Sequence, residues 1–228
     1  MPTLDALVFD AYGTLYDVHS VTALAESMFP GKGAALSQLW RTKQLEYTWL
    51  RTVMGSYENF DVVTAAGLRY ACASLKLDAS DAQISDLIAQ YVKLDTFAEV
   101  KGALAQLKAG KAGRNAARKL AILSNGAPGT LGALVKNSGL DSVLDAVISV
   151  DALRVFKPDM RVYQLAVDQL GISKERVGFV SSNCWDAIAA KHFGFTVFWI
   201  NRLNAPVDLH GTAPDHTIHS LTDIAPLL

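Results

Sequence analysis

The chain has 228 residues, half of them hydrophobic, and a formal net charge of −1. That suits one large domain or a core with a subdomain, and it gives no global argument for nucleic acid or an anionic membrane as partner. Two cysteines, Cys72 and Cys184, make no disulfide framework, a first strand starting almost at Met1 leaves no room for a signal peptide, and no apolar run approaches the ~20 residues of a membrane span, so a cytoplasmic protein is expected.

The first element is an apolar run, Leu4–Phe9, which reads as a buried strand and stops on Asp10 before turning through Ala11, Tyr12, Gly13 and Thr14. From Val18 to Gln90 the pattern is helical, with helices expected over Ser20–Phe29, Gly33–Met54, Asp61–Leu75 and Asp81–Tyr91. Asp61 and Asp81 suit an N-cap or a first turn. A run rich in Gly, Ala and basic residues follows at Lys108–Lys119. A polybasic contact site is one reading of it, and a solvated helix end or loop is the preferred one. Strands are expected at Leu120–Leu123, Ala146–Val150, Val177–Val180 and Thr196–Ile200, with a weaker edge strand at Thr217–His219. Amphipathic stretches such as Arg161–Leu170 and Asp186–Phe193 separate them.

Strands alternating with helices predict an α/β fold, a Rossmann-like parallel sheet core with helices on both faces. The helical block after the first strand predicts an inserted helical cap subdomain. The expected division is a core of residues 1–15 and 96–228 and a cap of residues 16–95, hinged at Tyr16–Val18 and Leu94–Glu99, enclosing a small-molecule cleft.

Polar residues gather where the expected strands end. The first strand ends in Asp10, the second in Ser124-Asn125-Gly126, and the fourth in Ser181-Ser182-Asn183-Cys184-Trp185-Asp186, while Lys157-Pro158 follows the third. Parallel strands place all these ends on one edge of the sheet, where open α/β sheets bind ligands. Any one of them has an ordinary explanation: Asp10, Ser124 and Asn125 could cap turns or helices, and Asp186 could sit in a first helical turn. Capping does not explain four such ends together.

The order Asp, Ser, Lys-Pro, Asp resembles the four motifs of the haloacid dehalogenase superfamily. The segment Arg41-Thr42-Lys43-Gln44-Leu45-Glu46-Tyr47-Thr48-Trp49-Leu50-Arg51, the group Phe156-Lys157-Pro158 with Tyr163, and Ser181–Asp186 are similar to the L-2-haloacid dehalogenases over nearly the full length. Most superfamily members are phosphatases with a second Asp two residues after the first, and here that position is Tyr12. Ser181 and Asn183 stand where phosphatases tend to have acidic groups. Magnesium favours an octahedral set of oxygen ligands with one or two carboxylates, so no metal and no cofactor is expected. His216 and His219, spaced His-x-x-His on an edge strand, would point to opposite faces.

The resemblance implies hydrolytic dehalogenation of short-chain L-2-haloalkanoic acids to D-2-hydroxy acids and halide, through a covalent ester on Asp10. It implies that Lys157 keeps Asp10 ionised and oriented, with Thr14 and Ser181 adding hydrogen bonds. Ser124 and nearby backbone N–H groups would hold the substrate carboxylate, and Ala11 would also contact the substrate. Arg41, from the cap, and Asn125 would receive the halide. Asp186, steered by Asn183, would activate the water, and Tyr163 would support Lys157 or Asp186. Tyr12, Leu45, Phe60 and Trp185 would wall the substrate's alkyl part, with ordinary core packing as their alternative. The expected partners are a small 2-haloacid and, by resemblance only, a second copy of the chain. The rival readings are a magnesium phosphatase on the same fold, a covalent-Asp enzyme opening another electrophilic bond, and a binding protein that has kept the fold.

Overall fold

The computed structural model describes residues 4–110, 118–208 and 211–228. Six parallel strands form one sheet: β1 (Ala6–Phe9), β2 (Lys119–Ser124), β3 (Ala146–Ser149), β4 (Val177–Ser181), β5 (Thr196–Ile200) and β6 (His216–Ile218), in the order β3-β2-β1-β4-β5-β6. This is the doubly wound order, with a crevice where the chain runs to opposite sides of β1. All four residues of β1 are buried, as a central parallel strand covered on both faces requires. Phe9 is in register with Ile122 on one side and Val180 on the other. Asp10 therefore emerges at the sheet's carboxyl edge, its N–H bonded to the Val180 carbonyl at 2.9 Å.

The strands match the expected segments to within two residues at each end. Among helices the corrections are local. The expected Ser20–Phe29 helix divides into a 3₁₀ turn, Val18–Val21, and α1 (Thr22–Met28), because the Asp17 side chain caps the turn through His19 N–H. Helix α2 spans Gly33–Val53, α3 Phe60–Ser74 and α4 Asp81–Ala89. Asp61 and Asp81 lie in first turns, while Asn59 and Ser80 are the caps, Ser80 forming a capping box with Gln83.

After β1 the chain enters α1–α4 and comes back beside its own exit. Asp17 N–H bonds to the Asp95 carbonyl at 2.8 Å, and Phe97 N–H to the Leu15 carbonyl at 3.2 Å. The rest of the chain alternates in α/β fashion. Helix α5 (Val100–Ala109) precedes β2, α6 (Pro128–Ser138) precedes β3, α7 (Met160–Leu170) precedes β4 and α8 (Cys184–Phe193) precedes β5, while α9 (Ile224–Leu227) closes the chain. Pro128 opens α6, where its missing N–H costs nothing. In the basic run, Lys111 and Arg114 lie outside the described residues. Lys108 pairs with Asp145, while Arg118 and Lys119 bond to the Leu4 and Leu170 carbonyls.

Candidate active site

The turn after β1 presents Asp10 to a small cavity. Gly13 has φ +92°, a conformation that strains residues with a Cβ, and its carbonyl accepts from the Ser182 hydroxyl. This tucks Thr14 under the carboxylate. Asp10 Oδ2 accepts from Thr14 Oγ1 at 3.0 Å and from Asn183 Nδ2 at 2.9 Å, while Oδ1 accepts from Lys157 Nζ at 3.1 Å. Oδ1 carries one protein donor and Oδ2 two, so Oδ1 keeps the freer lone pair.

Lys157 is only 1 % exposed and also bonds Asp186 Oδ2 at 2.9 Å. Burial alone would lower its pKa, but Asp10 and Asp186 outweigh it and raise the pKa above the ordinary value, so it is a cation. The other oxygen of Asp186 accepts from the Tyr163 hydroxyl at 2.7 Å. Burial raises the Asp186 pKa, with Lys157 opposing and Asp10 adding to the rise. Burial, with Asp186 beside it, raises the Tyr163 phenol in turn, so the phenol remains a proton donor.

Arg41 enters from α2. Its Nη2 bonds the Tyr12 carbonyl at 3.2 Å and its Nη1 bonds Gln44 Oε1 at 2.7 Å. Burial lowers its pKa, opposed by Tyr91 and Asp10, and a guanidinium stays protonated regardless. Asp10, Asn125, Lys157 and Asn183 line the cavity from the core, Arg41 covers it, and Tyr12, Leu45, Phe60 and Trp185 wall it. Its volume is about 10 Å³, the space of roughly one water. Tyr12 and Phe60 stack at 5.2 Å between ring centres, and Trp185 meets Trp49 edge to face at 5.4 Å. The Tyr12 hydroxyl is buried with no hydrogen-bond partner among the described residues.

Nine of the residues expected from sequence thus line one cavity, and the others stand behind them. Thr14 touches Asp10, and Tyr163 and Asp186 sit beyond Lys157. Ser124, wholly buried, accepts from Gly126 N–H at 3.1 Å, and Ser181 Oγ accepts from Asn183 N–H at 3.2 Å. The Ala11 carbonyl closes the turn by accepting from Thr14, Leu15 and Tyr16 N–H. One expected contact is redirected. The Asn183 amide goes to Asp10 and the Tyr12 carbonyl, not to the Asp186 carboxylate. Asp186 has both oxygens engaged and does not reach the cavity. His216 stacks on Phe198 at 4.8 Å, and His219 Nδ1 lies 2.8 Å from the Asn201 carbonyl.

The donor set does not fit magnesium. The point equidistant from the two carboxylates holds the Lys157 ammonium, 3.1 and 2.9 Å away, and Asp10 Oδ2 faces a hydroxyl and an amide that donate to it.

A family model described as haloacid dehalogenase-like hydrolase matches residues 4–194. The chain belongs to that family. It is 45 % identical to an (S)-2-haloacid dehalogenase of Pseudomonas putida over 99 % of this chain and 96 % of that one. It is also 45 % identical to haloacetate dehalogenase H-2 of Moraxella sp. (strain B), over 100 % and 99 %. Among solved structures it is similar to the L-2-haloacid dehalogenase from Xanthobacter autotrophicus with chloropropionic acid covalently bound, at a TM-score of 0.91 and 40 % identity, covering 99 % of this chain and 98 % of that one. The parallel sheet and its helices are the fold of these haloacid dehalogenases.

Two contributors escaped the reading of the sequence. Arg202, after β5, bonds the Thr14 carbonyl at 3.0 Å and Glu99 Oε1 at 2.7 Å, with its guanidinium 3.9 Å from the Phe97 ring centre. It ties the nucleophile's turn to the segment returning from α4, and no motif flags it. Gln44, fully buried, contacts Arg41. Its signal was a polar residue on the same helical face as Leu36 and Trp40, one turn further on.

Proposed function

We propose that this chain hydrolyses short-chain L-2-haloalkanoic acids to D-2-hydroxy acids and halide, through a covalent ester on Asp10. The observation that carries this reading is Asp10 itself. It is a carboxylate held by three donors at the edge of a cavity with apolar walls, flanked by the cations Lys157 and Arg41.

Asp10 Oδ1 attacks the carbon bearing the halogen from the side opposite the halide. The carbon–halogen bond breaks as the Oδ1–carbon bond forms, so that carbon inverts. Arg41, Asn125 and the unspent Tyr12 hydroxyl receive the departing halide. Ser124 and the backbone N–H groups after β2 take the substrate carboxylate. Thr14 and Asn183 hold Oδ2, which fixes the plane of the carboxylate for attack and polarises the ester carbonyl afterwards. Water then adds to that carbonyl, one of its protons passing to the released hydroxy acid and the other to solvent. The carbon–oxygen bond of the product is not touched, so an L-substrate gives a D-product. Asp186 holds that ammonium against Asp10 and, once Asp10 is esterified, is the remaining carboxylate of the site to take the water's proton.

Residues 16–95 serve as a cap over a core of residues 1–15 and 96–228, with α2 supplying Arg41 and Leu45 and α3 supplying Phe60. The reaction proceeds without metal, because Lys157 and Arg41 carry the positive charge a phosphatase draws from magnesium. The protein works in the cytoplasm as a homodimer, a reading supported by its two free cysteines and by Leu50 and Val53, exposed on α2, with Met54 exposed just after it.

The test is halide release from separate L- and D-2-chloropropionate with EDTA present. Release from the L-form alone is expected. Activity restored only by Mg²⁺ on a phosphate ester would replace this reading with the phosphatase one. In a single turnover in heavy-oxygen water, label should enter the Asp10 carboxylate, and label found only in the product would exclude the ester.

A further inference from the structure

The cap carries a buried polar chain that ends on Arg41. Helices α2 and α3 approach closely at Gly67, where an added Cβ would lie 3.3 Å from Gln44 N and 3.4 Å from the Trp40 carbonyl oxygen. That approach brings Thr64 of α3 against Gln44 of α2. Both are buried, Gln44 completely. Gln44 Nε2 donates to Thr64 Oγ1 at 2.7 Å, and Gln44 Oε1 accepts from Arg41 Nη1 at 2.7 Å. A guanidinium only donates, so the amide oxygen must face Arg41, and the amide nitrogen is thereby turned to Thr64. Trp40 Nε1 donates to the Thr64 carbonyl at 2.8 Å, which pins the same turn of α3. On its other side Arg41 bonds the Tyr12 carbonyl at 3.2 Å.

We infer that Gln44 and Thr64 form a positioning relay that fixes the Arg41 guanidinium over Asp10, so that its charge meets the leaving halide. Neither residue lines the cavity, so they act through Arg41. A buried amide is costly unless its hydrogen bonds are made, and here one bond is taken from the Arg41 cation and the other is given to Thr64, which holds the amide in place. The inference rests on the dehalogenase reading, with Arg41 as halide acceptor.

A relay of this kind has a signature that a packing role lacks. Chloride is a poorer leaving group than bromide and depends more on charge stabilisation as it departs. Gln44→Leu should therefore slow displacement of chloride more than displacement of bromide. The experiment is single-turnover halide release from L-2-chloropropionate and L-2-bromopropionate, which reads the displacement step, with Tm recorded for each variant. Misplacing a catalytic group by about 1 Å costs on the order of 10²-fold, so Gln44→Leu should lose roughly 10- to 100-fold on chloride and clearly less on bromide. Thr64→Val, which cannot touch Arg41, should shift the two rates in the same unequal way by a smaller factor. In an Arg41→Lys background, Gln44→Leu should add no further loss. Equal losses on both halides, or a loss that multiplies with that of Arg41→Lys, would overturn the relay. If Gln44→Leu does not accumulate as folded protein, Thr64→Val decides by the same halide comparison. An active wild type with an unimpaired Gln44→Leu would refute the relay alone, whereas a wild type that releases no halide would remove the dehalogenase reading and the relay with it.

Discussion

Replacing Lys157 with Met keeps the length of the stem and removes the charge that lies between Asp10 and Asp186. The ammonium is 3.1 Å from one carboxylate and 2.9 Å from the other, and the two are 6 % and 0 % exposed. Deleting one partner of a buried ion pair costs about 3–5 kcal/mol, because the survivors stay charged and out of water. Asp10 keeps Thr14 and Asn183, and Asp186 keeps Tyr163, so a loss within that range is expected at pH 8. The sign of its pH dependence follows from Asp186. Burial lifts its folded pKa above the ordinary 3.8, and Lys157 is the main influence pulling it back. Without Lys157 the folded pKa rises further. A carboxyl with a raised folded pKa loses stability as pH climbs from its unfolded pKa through the folded one. The Lys157 pKa is raised, so its contribution in the wild type is constant below the ordinary 10.5 and is lost as pH rises from there through the folded value. The gap between wild type and Lys157→Met should therefore be widest at pH 8 and shrink toward pH 5. Urea denaturation measures it: with a loss of about 3–5 kcal/mol and a slope of about 1–3 kcal/mol per molar, the midpoint should fall by roughly 1–5 M at pH 8. A gap under about 1 kcal/mol, or one equal at both pH values, would show that the ammonium does not hold these two carboxylates.

Arg41→Lys keeps a positive charge but cannot reach Gln44 and the Tyr12 carbonyl together, and a large loss of kcat is expected even though the charge is conserved; near-normal turnover would remove Arg41 from the mechanism. Asp186→Asn separates its two roles: one equivalent of halide per site followed by a stalled ester on Asp10, seen by intact mass, is expected if it serves hydrolysis, with a steady-state loss of about 10²–10⁴-fold. No burst and no adduct would mean that Asp186 acts only by placing Lys157. Gly126→Ala puts a methyl 2.9 Å from the Tyr12 ring, an overpacking worth about 1–3 kcal/mol; a lower Tm together with a raised KM is expected, and an unchanged KM would show that Tyr12 does not wall the substrate.

The sheet was readable from sequence because its strands are short apolar runs that stop on polar residues, and parallel pairing brings such ends together whatever lies between them. Asp10, Lys157 and Asp186 were legible for that reason. The direction of the Asn183 amide was not, since the choice between two nearby carboxylates depends on how the loop after β4 meets the turn at Gly13. Tyr163 could be placed near Lys157 and Asp186 but not assigned between them. Gln44 was legible only as a polar residue on an apolar face. Arg202 and Glu99 are 103 residues apart, and no local pattern links them. The split of the first expected cap helix turned on Asp17, whose side chain competes with helical hydrogen bonding for the backbone.

The pairing of Asp17 with Asp95 has a further consequence. The chain leaves β1 and comes back at neighbouring points, so the sheet meets the whole intervening block as a single long loop with its ends already joined. Closing a loop costs only about 0.6 kcal/mol for each doubling of its length. The strands would therefore be nearly indifferent to what is spliced between those two residues. A block of different size or architecture could be grafted there while the strand order and the position of Asp10 stay as they are. Such a graft would exchange Arg41, Leu45 and Phe60 for other residues facing the same nucleophile, and so change which molecule is accepted without rebuilding the carboxylate that attacks it.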